Sequence, residues 1–197
     1  MKKIVLASKN LDKVTEMRFA LQDLPVEILS LADFKNLPDA VEDGATFEAN
    51  ALIKAKFFRE QTGLACLADD SGLEVDALGG LPGVHSARFA GYHADDFTNN
   101  QKFLEELKKI GVEESAADYR CVLAFVDTDG TEILTSGKIE GKIKTVAKGS
   151  GGFGYDPYFY IDENFTMAEI TAAEKNKISH RGAALREMIL KLKGRFR

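Results

Sequence analysis

The sequence contains no apolar run of membrane-spanning length, and its opening, MKKIVLASKN, has too short an apolar segment for a signal peptide before it enters a polar turn. Cytoplasm is the expected location, and no membrane partner is expected. Positive charge is in deficit too. A formal net charge of −5 argues against broad nucleic-acid binding, which needs a cationic footprint to displace counterions from phosphates. A small anionic ligand stays open, because it needs only a local group of cations and backbone N–H donors. Cys66 and Cys121, the only cysteines, lie in apolar stretches with no partner at metal-ligand spacing, so both read as reduced core residues. The three histidines show no ligand spacing either, which speaks against a zinc site and a Ser-His-Asp triad. No GxxxxGK[ST] run occurs, excluding a Walker-type phosphate loop. No repeat, low-complexity tract or Gly/Ser/Pro-rich linker divides the 197 residues, so a single domain over 1–197 is expected.

What is present is an α/β pattern. A short buried strand over 2–7 leads to a polar turn where Asn10 can cap a helix carrying Val14, Met17, Leu21 and Leu24 at helical spacing. A strand over 26–31 follows, then an acidic connection over 38–46 with Glu42, Asp43 and Gly44, and a helix over 47–61 stopped by Gly63. The apolar run 64–68 reads as an interior strand with Asp69 and Asp70 at its C-terminal end, where ligands of open α/β sheets collect. Further on are a helix over 96–110, strands over 119–127 and 131–136 around the hairpin signal Asp129-Gly130, a sheet extension over 138–146, and a closing helix over 179–192. That helix is expected to turn Ala183, Leu185, Ile189 and Leu192 to the core.

Four stretches could carry chemistry. SKNLDK, Ser8 to Lys13, offers helix N-terminal N–H groups with Lys9 and Lys13 to a phosphate, or is an ordinary capped helix. In ADDSG, adjacent carboxylates disfavour joint ionisation unless a cation is near. Asp70 with Glu42, and Glu48 as a further candidate, would suit magnesium; an Asx-turn into Ser71-Gly72 is the competing reading. KGSGGFGYDPYF lets the backbone approach a ligand closely and offers the rings of Phe153 and Tyr155 to a base, or forms a tight loop with buried aromatics. EKNKISHRG gathers Lys175, Lys177, His180 and Arg181 at the start of the last helix, where cations oppose the dipole unless an anion joins them.

Taken together, SKNLDKVTEM, TFEANALIKA, LADDSGLEVDALGGLPGVHSARFAG, GGFGYDPYF and SHRGAAL resemble the inosine triphosphate pyrophosphatase family, the house-cleaning enzymes of the RdgB/HAM1 type, in order from near residue 4 to near 190. The resemblance implies an elongated mixed β-sheet flanked by helices, two lobes with an active-site cleft between them, and a homodimer. It implies magnesium-dependent hydrolysis of ITP, dITP and XTP to the monophosphate and pyrophosphate. Carried over by residue, Asp70 is the general base and a metal ligand, and Glu42 the other metal ligand. Ser8, Lys9, Asn10, Leu11, Asp12, Lys13, Ser71, Phe153, Gly154, Tyr155, Asp156, Lys175, His180 and Arg181 are substrate contacts, with His180 or Arg181 aimed at a 6-oxo group. Lys54 would stabilise leaving charge, while Asp69 is a further candidate and Arg88 is either a phosphate contact or an ion-pair partner. The sequence departs from the family's TF-x-E-N pattern: Ala49 precedes Asn50, and the acid is Glu48. Competing readings are a pyrophosphatase of broader scope and a nucleotide-binding protein without catalysis.

Overall fold

The computed structural model describes residues 2–196. Six strands form one mixed sheet: β1 (Lys2–Leu6), β2 (Val26–Ser30), β3 (Ala65–Val75), β4 (Glu114–Val126), β5 (Glu132–Lys144) and β6 (Phe159–Tyr160), in the order β2-β1-β3-β4-β5-β6. β1 runs parallel to β2 and to β3, and β5 antiparallel to β6. Among the described residues five α-helices accompany them: α1 (Leu11–Leu21), α2 (Phe47–Thr62), α3 (Asp96–Lys109), α4 (Ala172–Ile178) and α5 (His180–Arg195). Among the described residues no helix is long and apolar enough to cross a membrane.

Local chemistry sets the helix ends. Asn10 Oδ1 accepts the Lys13 N–H at 3.0 Å and starts α1; Thr46 Oγ1 accepts the Ala49 N–H at 3.1 Å and starts α2. Gly63, left-handed at φ 68°, returns its N–H to the Arg59 carbonyl and stops α2. The Asp127–Thr131 turn joins β4 to β5 as its sequence predicts, with the Asp127 N–H on the Thr131 carbonyl at 2.9 Å.

Several strands depart from their sequence reading. Asp69 and Asp70 do not end a strand: β3 continues through them to Val75, which removes the Asx-turn alternative. The parallel ladder of β1 on β3 stops at Leu6 and Leu67, so the two acids sit beyond the carboxyl end of the neighbouring strand instead. The segments 131–136 and 138–146 are a single strand, β5. In α5 the core face is Ala184, Leu185, Met188 and Leu192, one residue round from the expected face at two positions; Ala183 and Ile189 are half-buried.

The chain divides into two compact units. The first comprises Met1–Asp70, Cys121–Gly137 and Arg181–Arg197. Its core joins Ile4 and Leu6 of β1, Met17 and Leu21 of α1, Leu67, Leu123, Phe125, and Leu185, Met188 and Leu192 of α5. Both cysteines are buried free thiols, pushed up to about 12 by that burial, and so unreactive. The second unit comprises Ser71–Arg120 and Lys138–His180, around Leu73, Val75, Phe103, Leu107, Tyr119, Ile143 and Phe159.

One ion cluster in the first unit yields a stability prediction. Asp127 is buried and accepts from Lys2 Nζ at 2.6 Å, Arg195 Nε at 2.5 Å and the Thr128 N–H at 2.7 Å. Burial opposes its charge, but these donors win and lower it from 3.8 to about 2. Because the folded value lies below the unfolded one, about 2 kcal/mol of stability is present above pH 4 and is lost as pH falls through 2. Urea unfolding at pH 6, 4, 3 and 2 checks this: the parent's advantage over Asp127→Asn should shrink across the lower three points, and a constant gap would contradict it.

Candidate active site

The first unit brings Asp69, Asp70, Glu42, Lys13, Lys54 and Arg181 together, from five separate stretches of chain. Asp69 is 1% exposed and Asp70 8%. Although adjacent, they alternate across the strand and meet different surroundings. Asp69 Oδ2 is surrounded by cations: Arg181 Nη2 at 3.0 Å and Nε at 3.3 Å, and Lys13 Nζ at 3.2 Å. Burial opposes ionisation of Asp69, yet Lys13, Arg181 and Lys54 hold its carboxyl well below the usual range. Asp70 has the opposite fate. Burial pushes it up to about 6, Glu42 and Asp69 add to the shift, and Lys54 and Lys13 oppose it. Its Oδ2 is buried with no hydrogen-bond partner among the described residues. A neighbouring pair of carboxylates pushed in opposite directions is an acid–base arrangement, one fixed in charge and one able to exchange a proton.

Lys54 sits among the acids from α2. Its Nζ is 2.7 Å from Glu42 Oε2 and donates to the Asp69 carbonyl at 3.0 Å. Burial works against its charge, but Glu42, Asp69 and Asp70 outweigh it and raise its pKa. Arg181 is 1% exposed and donates through Nη1 to Glu16 Oε2 at 2.6 Å as well as to Asp69. The sequence reading aims Arg181 at a base; the structure sets its guanidinium between two carboxylates.

The SKNLDK turn enters the same unit. Ser8 Oγ accepts the Asn10 N–H at 3.2 Å, Lys9 pairs with Asp39, and Leu11 and Asp12 are exposed on the first turn of α1. Glu48 is exposed on the first turn of α2.

The second unit holds the other predicted residues. Asp156 is 3% exposed and accepts from Lys175 Nζ at 2.6 Å and from the Phe153 N–H at 3.0 Å. The same ammonium lies 4.3 Å from the centre of the Phe153 ring. His180 stacks on Tyr119, ring centres 4.8 Å apart and planes within 12°. The Gly154 N–H donates to Asp96 at 2.6 Å and its carbonyl accepts from Asn100 Nδ2 at 3.0 Å, so the glycine-rich loop is tied to α3. Tyr155 is a correction: its ring is buried against Phe103 and its hydroxyl donates to the Ser86 carbonyl at 2.9 Å, which makes it a core residue and not a platform for a base. Ser71 is half-buried in β3, and Arg88 is half-buried at the end of the 3₁₀ segment Gly83–Arg88.

Three participants escape the sequence reading. Glu16 follows Lys13 by three residues on α1, a spacing that could have flagged it as sharing Lys13's face. Tyr119 sits in an apolar strand and carries no local signal. Asn50, fully buried in the interior of α2, accepts the Gly44 N–H at 2.8 Å; a weak helix former at a buried helical position is itself a signal.

A family model described as the Ham1 family matches residues 4–191. The dITP/XTP pyrophosphatase of Geobacter sulfurreducens is 48% identical over 186 residues, 94% of each chain. That of Vibrio cholerae is 46% identical over 95% of each. Among solved structures, a HAM1 protein from Coxiella burnetii superposes with a TM-score of 0.88 at 42% identity, covering 98% of this chain and all of that one.

Proposed function

The chain belongs to the Ham1 family, and we propose that it hydrolyses dITP, ITP and XTP to the monophosphate and pyrophosphate with magnesium. The observation that carries the reading is the contrast at Asp69-Asp70. Asp69 is paired with Lys13 and Arg181, which hold its pKa low, while the pKa of Asp70 is raised by burial, and Asp70 presents a buried oxygen with no hydrogen-bond partner among the described residues, beside a second acid, Glu42. Such an oxygen is costly in a fold and useful in a site.

Glu42 and Asp70 are the residues that would hold the cation. Magnesium is usually bound by one or two carboxylates, with waters and substrate phosphate oxygens completing its shell, so this donor set fits it. The ion would neutralise phosphate charge and lower the barrier to attack by water. Asp70 takes the proton of that water as it attacks the α-phosphorus and pyrophosphate leaves. Lys13 and Lys54 are placed to offset charge on the departing phosphates. Asp69 holds Lys13 in place, and Arg181 with Glu16 holds Asp69.

Donors such as His180, aimed at a 6-oxo oxygen, would select the base. Adenine's 6-amino group would leave them unpaired. A homodimer in the cytoplasm completes the reading. Pyrophosphate release on dITP, XTP, dGTP and dATP, with a chelator control, tests it: dITP and XTP should be favoured by about a hundredfold, and EDTA should abolish release. Equal rates on all four would remove the selection; release unaffected by chelator would remove the metal.

A further inference from the structure

The connection carrying Glu42 has no regular structure over 34–46, so something must fix where that carboxylate lies. Three contacts from α2 do so. Thr46 caps the helix, Lys54 pairs with Glu42 at 2.7 Å, and Asn50 Oδ1 accepts the Gly44 N–H at 2.8 Å. Asn50 and Lys54 are one helical turn apart and share a face. The chain at Gly44 approaches α2 so closely that a Cβ there would lie 2.7 Å from Asn50 Oδ1, 2.8 Å from the Ala49 methyl and 3.1 Å from the Asn50 nitrogen. Only glycine fits without a shift. Asn50 itself is fully buried, and its Nδ2 has no hydrogen-bond partner among the described residues. A residue kept for stability alone would not leave half its amide unsatisfied in a helix interior.

The three contacts are not equivalent once a cation arrives. Lys54 neutralises Glu42 only while no metal does, because the ammonium and a divalent ion compete for the same carboxylate. The backbone bond from Gly44 to Asn50 involves no charge and persists in both states. We infer that Asn50, acting through Gly44, is a positioning residue that holds Glu42 in reach of the cation it shares with Asp70. This rests on the metal reading above. Partners one step removed from a metal's ligands commonly set its affinity by about 10- to 100-fold.

The test uses Mn²⁺ as the probe, titrated by EPR against the full chain with a non-hydrolysable dITP analogue. Asn50→Ala and Gly44→Ala break the same hydrogen bond from opposite ends. Each should weaken Mn²⁺ by about tenfold or more, while metal-free affinity for the analogue stays within about threefold and the rate at saturating metal recovers toward the parent's. Asn50→Asp keeps an acceptor for Gly44 and should bind Mn²⁺ no more weakly than about threefold below the parent. Glu42→Gln is the reference. If it weakens Mn²⁺ and the two alanine variants do not, the positioning role is wrong and the metal reading stands; if Glu42→Gln itself binds like the parent, both fall. A parallel loss of metal-free nucleotide affinity would also overturn the inference, since it would mark general damage. Circular dichroism verifies folding, with Asn50→Ser replacing an alanine variant that fails it.

Discussion

Asp70→Asn should lower turnover of dITP by about 10³-fold or more while leaving affinity for a non-hydrolysable analogue within about tenfold. Asparagine keeps the shape of the side chain and removes the two properties the chemistry needs, basicity and a negative charge for the cation. The fold loses nothing by the exchange. Asp70 Oδ2 is buried and has no hydrogen-bond partner among the described residues to forfeit, and burial opposes the charge by more than Lys54 and Lys13 favour it. The variant should therefore melt no lower than the parent. Loss of activity without loss of stability is the signature of a group placed for function. Pyrophosphate release, calorimetric binding of the analogue and a thermal melt check the three parts. Turnover above a tenth of the parent's would remove Asp70 from its role as base, and a lowered melting temperature would show that the carboxylate had a structural partner.

The elements best read from sequence are those whose causes are local. Asn10, Thr46 and Gly63 bound their helices by contacts within four residues, so their sequence neighbourhoods contain the whole explanation. Strand β3 failed for the opposite reason. Polarity ended the predicted strand at Ala68, because two consecutive aspartates seldom stay inside a sheet. What keeps Asp69 there is Arg181, 112 residues away. Gly137 likewise divided β5 on paper, and in the sheet β5 runs straight through it. The site shows the same split. Asp70, Glu42, Lys13 and Lys54 were legible as residue types suited to metal and phosphate, and the family resemblance put them in one list. Nothing local distinguished Asp69, whose pKa is held low, from Asp70, whose pKa is raised; that difference lies in Arg181, which reaches Asp69, and in the burial that dominates at Asp70. Tyr155 was misread because an aromatic ring in a glycine-rich loop suggests a ligand, whereas the loop folds it inward onto Phe103 and Ser86.

Arg181→Met should destabilise the chain by about 3–5 kcal/mol and lower its melting temperature by about 10 °C. The guanidinium is 1% exposed and donates to Asp69 and Glu16, so methionine fills much of the volume and removes a counter-charge from two carboxylates. Asp69 bears the greater cost, being itself buried, with Lys13 and Lys54 the cations that still offset its charge. Most of the loss comes from stranding a charge, not from losing an attraction, and that has a consequence for a second variant. Asp69→Asn in the Arg181→Met background removes the stranded charge and should restore part of the stability, so the double variant should melt above the single one. A base-contact role for Arg181 predicts otherwise: near-parental melting with a raised KM for dITP. Melting within about 2 °C of the parent would settle the matter against the buried counter-charge. A double variant less stable than Arg181→Met would show that Asp69 has other partners strong enough to hold its charge, and the cluster would then have to be understood as centred on Lys13 instead.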